Sequence, residues 1–219
     1  MTKKIKKPWP TKDAMNQVYE MNLWGTNGDS FYSGEGSHHP EIITPYLKVV
    51  TSFLQGFTPP LVVCDLGCGD FNIGVNLVEY TKQYIAVDIV ENLIARNKKT
   101  FKDEKLAFTC LNIAEDNLPQ ADCVIIRQVL QHLSNKEIQA IVKKLYNYKY
   151  VLVTEHLPEE DFTPNIDIIS GQGIRLKKKS GVNLLKSPFH FKVKSVKELT
   201  TVNLTTFKGK IVTTLYQVF

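Results

Sequence analysis

One ten-residue stretch constrains this chain more than any other: LVVCDLGCGD, Leu61 to Asp70. Leu61, Val62 and Val63 are a short apolar, β-branched run of the kind that forms a strand buried on both faces. Asp65 closes that strand. Gly67 and Gly69 carry no Cβ, so the chain can turn sharply and a ligand can approach its backbone. Asp70 is placed to cap a helix predicted over 71–80. Strand, glycine turn and helix N-terminus describe a nucleotide site, with free N–H groups and the positive dipole end facing the ligand. Asp88 stands 18 residues beyond Asp70 and ends a second apolar run, YIAVD. An acid at that distance, on the tip of the next strand, is where a ribose diol is held by two hydrogen bonds. A dinucleotide fingerprint needs a third glycine at position 72, and that residue is Asn72.

The rest of the chain alternates around this stretch. Thr11 is expected to cap a helix through Met21, and an amphipathic helix follows from His39 or Glu41 to Phe53. Between them, residues 23–40 are dense in glycine, serine and aromatics without apolar periodicity. A loop of that length carrying Trp24, Phe31 and Tyr32 reads as a lid or binding loop rather than a linker. Strands are predicted at 84–88, 106–110, 122–126 and 150–154, with helices over 90–101 and 135–146. The second of these helices opens on a capping box, Ser134-x-x-Glu137. Regular pattern fades from Glu155 to Pro188, and the end alternates as a hairpin, Val202–Phe207 and Ile211–Phe219.

Composition narrows the class. The chain has 219 residues, 43% apolar and 22% charged, which suits one α/β domain over 11–219 behind a disordered basic arm, 1–10. No apolar run approaches the roughly 20 residues of a membrane span, and MTKKIKKPWP lacks the apolar stretch of a signal peptide. Cys64, Cys68, Cys110 and Cys123 lie in or beside predicted core strands, as reduced thiols do, so a cytoplasmic location is expected. The net charge is +5, yet of 27 basic residues only Arg96, Arg127 and Arg175 are arginine. Nucleic-acid recognition favours the arginine fork, so a nucleic-acid partner is disfavoured.

The turn D-L-G-C-G, with an acid two residues before the first glycine, resembles the first motif of class I S-adenosylmethionine-dependent methyltransferases. That resemblance implies a three-layer, Rossmann-like sandwich whose mostly parallel seven-stranded sheet ends in an antiparallel hairpin, with an N-terminal helical and lid segment over 11–57. It implies S-adenosylmethionine as cofactor. Asp65, Gly67, Cys68 and Gly69 would hold its methionine end, Asp88 and Ile89 the ribose, and Asn112 and Ile113 the adenine. More of the chain is similar to a narrower group, small bacterial methyltransferases of surface-glycan or secondary-metabolite gene clusters. The matching pieces are Trp24-Gly25, Ser33-Gly34-x-Gly36-Ser37, CDLGCGDFN, YIAVDIV with Asn97, LP-x-ADCVIIRQVLQHLS, Asn165, Arg175, Asn183-Leu184 and Pro188-Phe189. They imply cofactor contacts from the Ser/Gly loop and acceptor contacts from the late segment; Trp24, Ser37 and Arg127 are the expected cofactor contacts, and Tyr32, His156, Asn165 and Arg175 the expected acceptor contacts. Gln128 stands where that pattern more usually has Asp, which speaks against a base or metal ligand there.

Methyl transfer needs alignment, removal of a proton and exclusion of water. His132 is the leading base, because its unperturbed pKa is near neutral. Arg127 follows four apolar strand residues, and a cation at a sheet tip is costly unless paired, so it is expected to meet Asp65, the cofactor carboxylate or a substrate anion. In the resembled class, enzymes that methylate nucleic-acid amines carry an acid- or Asn-Pro-Pro-aromatic run after the fourth strand, absent here, and carbon-methylating ones use a cysteine, whereas Cys123 lies inside the strand. The resemblance therefore implies O-methylation of a small hydroxylated acceptor such as a sugar or glycan precursor. Glu155, His156, Glu159, Glu160 and Asp161 read as a solvated acidic loop rather than a magnesium site, and no metal is expected. A protein or RNA methyltransferase, an NAD enzyme and a non-catalytic partner module stay open as alternatives.

Overall fold

A computed structural model describes residues 8–26, 28, 31–205 and 208–219. The basic arm, apart from residues 8–10, lies outside the described residues, as do positions 206 and 207 of the expected hairpin. Seven strands form one sheet: β1 (Val62–Leu66), β2 (Gln83–Asp88), β3 (Leu106–Cys110), β4 (Cys123–Arg127), β5 (Tyr150–Leu157), β6 (Ser195–Asn203) and β7 (Lys210–Gln217). Their order is β3-β2-β1-β4-β5-β7-β6. The first five run parallel, while β7 is antiparallel to both β5 and β6. Connections leave β1 toward β2 on one side and β4 lies on the other, so the carboxyl ends of β1 and β4 flank a switch point where a crevice opens.

Helices cover both faces because the strands are apolar on both. Helix α1 is Thr11–Glu20, α2 Pro40–Gln55, α3 Glu91–Thr100 and α4 Asn135–Leu145. Tyr46, Val50 and Leu54 of α2 and Ile94 of α3 pack with Val63, Ala86, Ile125 and Leu152. Ile138, Ile141, Val142 and Leu145 of α4 pack with Cys64, Val124, Ile126 and Val151 on the opposite face. The capping box is formed: the Ser134 hydroxyl accepts from the Glu137 N–H and the Glu137 carboxylate accepts from the Ser134 N–H.

Four expectations need correction. The helix predicted over 71–80 does not form; two 3-10 turns, Gly74–Asn76 and Val78–Tyr80, stand in its place. Phe71 sits at φ 64 with its ring against Tyr84, Phe101 and Phe108, and a Cβ on Gly74 would lie 2.3 Å from that ring. The Asn76 amide also bonds the Asn72 and Ile73 carbonyls, competing with a helical ladder. At α1 the cap position is Pro10, not Thr11, whose hydroxyl instead donates to Glu137. Strand β5 runs on to Leu157 because β7 pairs along all of it. Strand β6 begins at Ser195, seven residues before the alternating pattern becomes visible, with an irregularity between Glu198 and Thr200.

Candidate active site

The switch point opens into a cavity of about 480 Å³, bounded by the tips of β1, β2 and β4, by α1, by residues 33–37 and by 127–133. That volume is in the ordinary range for a small-molecule site. Its floor is the glycine turn. Gly67 and Cys68 both donate their N–H groups to the Val87 carbonyl, at 2.8 and 2.9 Å. The Gly69 N–H goes to Asp88 Oδ2 at 3.1 Å and the Asp70 N–H to Ser33 Oγ at 2.8 Å. All four donors are therefore used within the protein and no α-helix follows them. The free N–H groups and positive helix end expected to face a ligand here are not present at this turn. Gly67 is required for another reason: at φ 88, a Cβ there would stand 2.3 Å from the Val129 side chain.

Buried carboxylates surround the floor. Asp65 Oδ2 accepts from the Tyr84 hydroxyl at 2.9 Å, and burial pushes the Asp65 pKa up to about 7, against the opposing pull of Tyr84 and Arg127. Asp88 accepts from Gly69 and from Val90, the latter at 3.0 Å, and burial raises its pKa too. Asp70 reaches the other way: it accepts from the Ser33 N–H at 2.8 Å, the Asn72 N–H at 3.2 Å and His38 Nε2 at 2.6 Å. It thus ties residues 33–38 down beside the cavity instead of capping a helix.

Arg127 does not pair with Asp65; no ion pair joins them among the described residues. Its guanidinium donates to Ser37 Oγ at 3.2 Å and to the Gly36 carbonyl, and lies 4.9 Å over the Tyr46 ring. Its Nε and the Tyr46 hydroxyl are buried without a hydrogen-bond partner. His132 lines the cavity with its ring 5.1 Å from that of Trp24, and burial drops its pKa to about 4; the near-neutral pKa expected from the sequence is not kept, and the ring is a neutral but weak base near pH 7.

The cavity brings together Trp24, Ser37, Asp65, Gly67, Cys68, Gly69, Asp88, Ile89, Asn112, Ile113, Arg127 and His132 from the sequence-based set. Asn112 Oδ1 already accepts from the Ala114 N–H at 3.0 Å, which leaves one lone pair for a ligand. Four expected acceptor contacts stand elsewhere, each with a structural task. Tyr32 is buried and donates to Glu35 at 2.5 Å. His156 Nε2 faces the Lys208 carbonyl at 2.8 Å. Asn165 bonds the Asn183 and Ser187 carbonyls, both at 2.8 Å, folding the irregular segment on itself. Arg175 is 1% exposed and grips the backbone carbonyls of Leu130, Gln131, Leu133 and Ile166. In their stead Gln172 and Ile174 reach the cavity from that segment, and Ser33, Tyr46, Gln131 and Glu137 join from elsewhere. A hydroxyl on the inward stripe of α2 was the available signal for Tyr46. Among the described residues no group of three or more His, Cys, Asp or Glu side chains is placed to hold a metal, and no helix is long and apolar enough to cross a membrane.

Comparison with known proteins agrees with this geometry. Residues 64–148 match the family described as "Methyltransferase domain". No curated protein matches the sequence. The N-methyltransferase NodS from Bradyrhizobium japonicum, solved with S-adenosyl-L-homocysteine, is similar at a TM-score of 0.65 and 11% identity, over 94% of this chain and 99% of that one. Magnesium protoporphyrin IX methyltransferase from Synechocystis, with bound SAM, is similar at 0.61 and 16%, over 97% and 99%. Human N-acetylserotonin methyltransferase, in complex with SAM, is similar at 0.59 and 17%, over 96% and 60%. At these identities the likeness is one of fold, the Rossmann-like fold of S-adenosylmethionine-dependent methyltransferases.

Proposed function

We propose that this protein is an S-adenosylmethionine-dependent methyltransferase that methylates a hydroxyl of a small acceptor, a sugar or glycan precursor. One observation carries the choice of cofactor, the charge of the cavity. Among the described residues lining it are five carboxylates, of Glu35, Asp65, Asp70, Asp88 and Glu137, against one guanidinium, Arg127, and no lysine. The N–H groups of the glycine turn are also spent. A pyrophosphate would meet repulsion there, whereas a sulfonium with an α-ammonium group is attracted. The residues present fit such a ligand. Asp65 and Arg127 stand apart, each with hydrogen-bonding capacity to spare; a ligand ammonium would draw Asp65, raised to about 7, into its charged form, and Arg127 suits the carboxylate of the same amino acid. Asp88 suits a ribose diol, and Ile89, Leu111 and Ile113 an adenine face.

When bound, the cofactor supplies a methyl carbon on a positively charged sulfur. Held by Asp65, Arg127 and Asp88, it would give that methyl group to the acceptor oxygen, and its sulfur would keep the electron pair of the C–S bond. His132, neutral near pH 7, takes the hydroxyl proton. Trp24, Met15, Leu133 and Ile174 line the cavity with apolar surface, and Trp24 and residues 33–37 with α1 act as its lid.

Calorimetric titration with S-adenosylhomocysteine, with NAD as control, tests the cofactor; radiolabelled methyl transfer to pooled nucleotide sugars tests the acceptor. Micromolar binding of the first ligand alone is expected. Binding of NAD instead overturns the reading, and transfer only to protein or RNA overturns the acceptor class.

A further inference from the structure

Gln131 is buried, and its two amide ends are distinguished by what they face. Its Oε1 accepts the backbone N–H of His156, on β5, at 3.1 Å, so the NH₂ end is fixed by elimination. That end stands 3.3 Å from His132 Nε2. An amide N–H can only donate, so Nε2 is the acceptor, and in the neutral ring the proton then sits on Nδ1. Nδ1 is buried without a hydrogen-bond partner, so no acceptor at that atom sets the tautomer and the Gln131 contact does. A neutral imidazole left to itself prefers its proton on Nε2, so these surroundings reverse the ordinary preference.

The arrangement is braced from behind. Arg175 donates to the carbonyls of Leu130, Gln131 and Leu133 at 3.0, 3.3 and 2.7 Å, gripping the short stretch that carries both side chains. Gly171 N–H closes on the His132 carbonyl at 3.0 Å. We propose that Gln131 is a positioning residue that holds His132 as the Nδ1–H tautomer, so that the lone pair receiving the acceptor's proton stands on Nε2. The catalytic part of this assignment rests on the methyltransferase reading; the tautomer does not. At 3.3 Å the Gln131 contact is long, and an entering hydroxyl replaces it: the O–H proton passes to Nε2 and the oxygen keeps the electron pair that forms the C–O bond.

The test reads the tautomer directly, with no substrate or turnover. Long-range ¹H–¹⁵N correlation on ¹⁵N-labelled protein at neutral pH, with the ring assigned by its loss in His132→Asn, is expected to show a protonated Nδ1 and a bare Nε2. Gln131→Glu keeps an oxygen for the His156 N–H but turns an acceptor toward the ring, so the proton should move to Nε2. A wild-type ring protonated on Nε2, or a Gln131→Glu ring unchanged, overturns the proposal. Absence of methyl transfer with the tautomer as described counts against the proposed function alone.

Discussion

Ser33 and Asp70 bond each other twice: the Ser33 N–H donates to Asp70 Oδ2 and the Asp70 N–H donates to Ser33 Oγ, both at 2.8 Å. This reciprocal pair joins the N-terminal loop to the end of the glycine turn, and Asn72 adds a bond to the Ser37 carbonyl at 2.6 Å. Asp70→Ala leaves the N–H groups of Ser33 and Asn72 without their acceptor, at about 1–3 kcal/mol for such a buried donor. The expected result is a lower urea midpoint with S-adenosylhomocysteine affinity reduced about tenfold, because the lid is no longer tied down. Wild-type affinity in a destabilised variant would show that the clasp serves the fold and not the site.

Arg175 gives the cleanest separation of structure from binding. Its guanidinium meets four backbone carbonyls and Asn135 Oδ1, the last at 2.8 Å, a set that no lysine can reproduce. Arg175→Lys should lower stability by about 2–4 kcal/mol, as expected when several hydrogen bonds to a buried charge are lost. Cofactor affinity, measured well below the new midpoint, should change less than about twofold. A large loss of affinity at unchanged stability would return Arg175 to the ligand contacts.

These two residues also mark how far the sequence is legible. The strand–glycine–acid pattern, the alternation behind it and the Ser134–Glu137 capping box are local signals, and the folded chain follows them. The β5–β7–β6 end of the sheet was legible for the same reason, although the exposed start of β6 has little alternation to read. What failed was nonlocal. Phe71 and Gly74 abandon a helix because one ring must fill a pocket made by β2, β3 and Phe101. Asn165 and Arg175 are polar residues in an aperiodic stretch, where nothing local tells a ligand contact from a segment bonding to itself. Asp70 carries a helix-cap signature and caps a loop instead, because its partner lies 37 positions away.

Glu155 sets a pH dependence. Both its carboxylate oxygens are buried without a hydrogen-bond partner, and burial pushes its pKa up to about 8 despite nearby Arg175. The folded state therefore keeps a proton that the unfolded state has lost, between the ordinary carboxylate range and about pH 8. Stability falls as pH rises from about 6.5 to about 8, with Asp65, raised to about 7, adding to the loss; below about 6.5 the lowered pKa values of His132 and His156 act in the opposite sense and offset it. Urea midpoints should drop between about pH 6.5 and about pH 9, and Glu155→Gln should flatten the upper half of that fall. A Glu155→Gln profile parallel to wild type would mean the carboxyl titrates normally.

Arg127 is the sharpest test of the cavity's charge logic. Its guanidinium stands beside the buried Asp65 without pairing to it, and its Nε has no partner. If the pair grips the two charges of one amino acid, the affinity it confers depends on those charges being present in the ligand. Arg127→Gln should weaken S-adenosylhomocysteine by about tenfold or more, the worth of a charged hydrogen bond. 5′-Methylthioadenosine retains the adenosine and thioether but has neither ammonium nor carboxylate, and should lose much less. Arg127 also holds Gly36 and Ser37, so a loosened loop would weaken both ligands alike. The difference between the two titrations therefore isolates the carboxylate contact from the loop. Equal losses would leave Arg127 as a clamp on the lid and place the carboxylate elsewhere in the cavity.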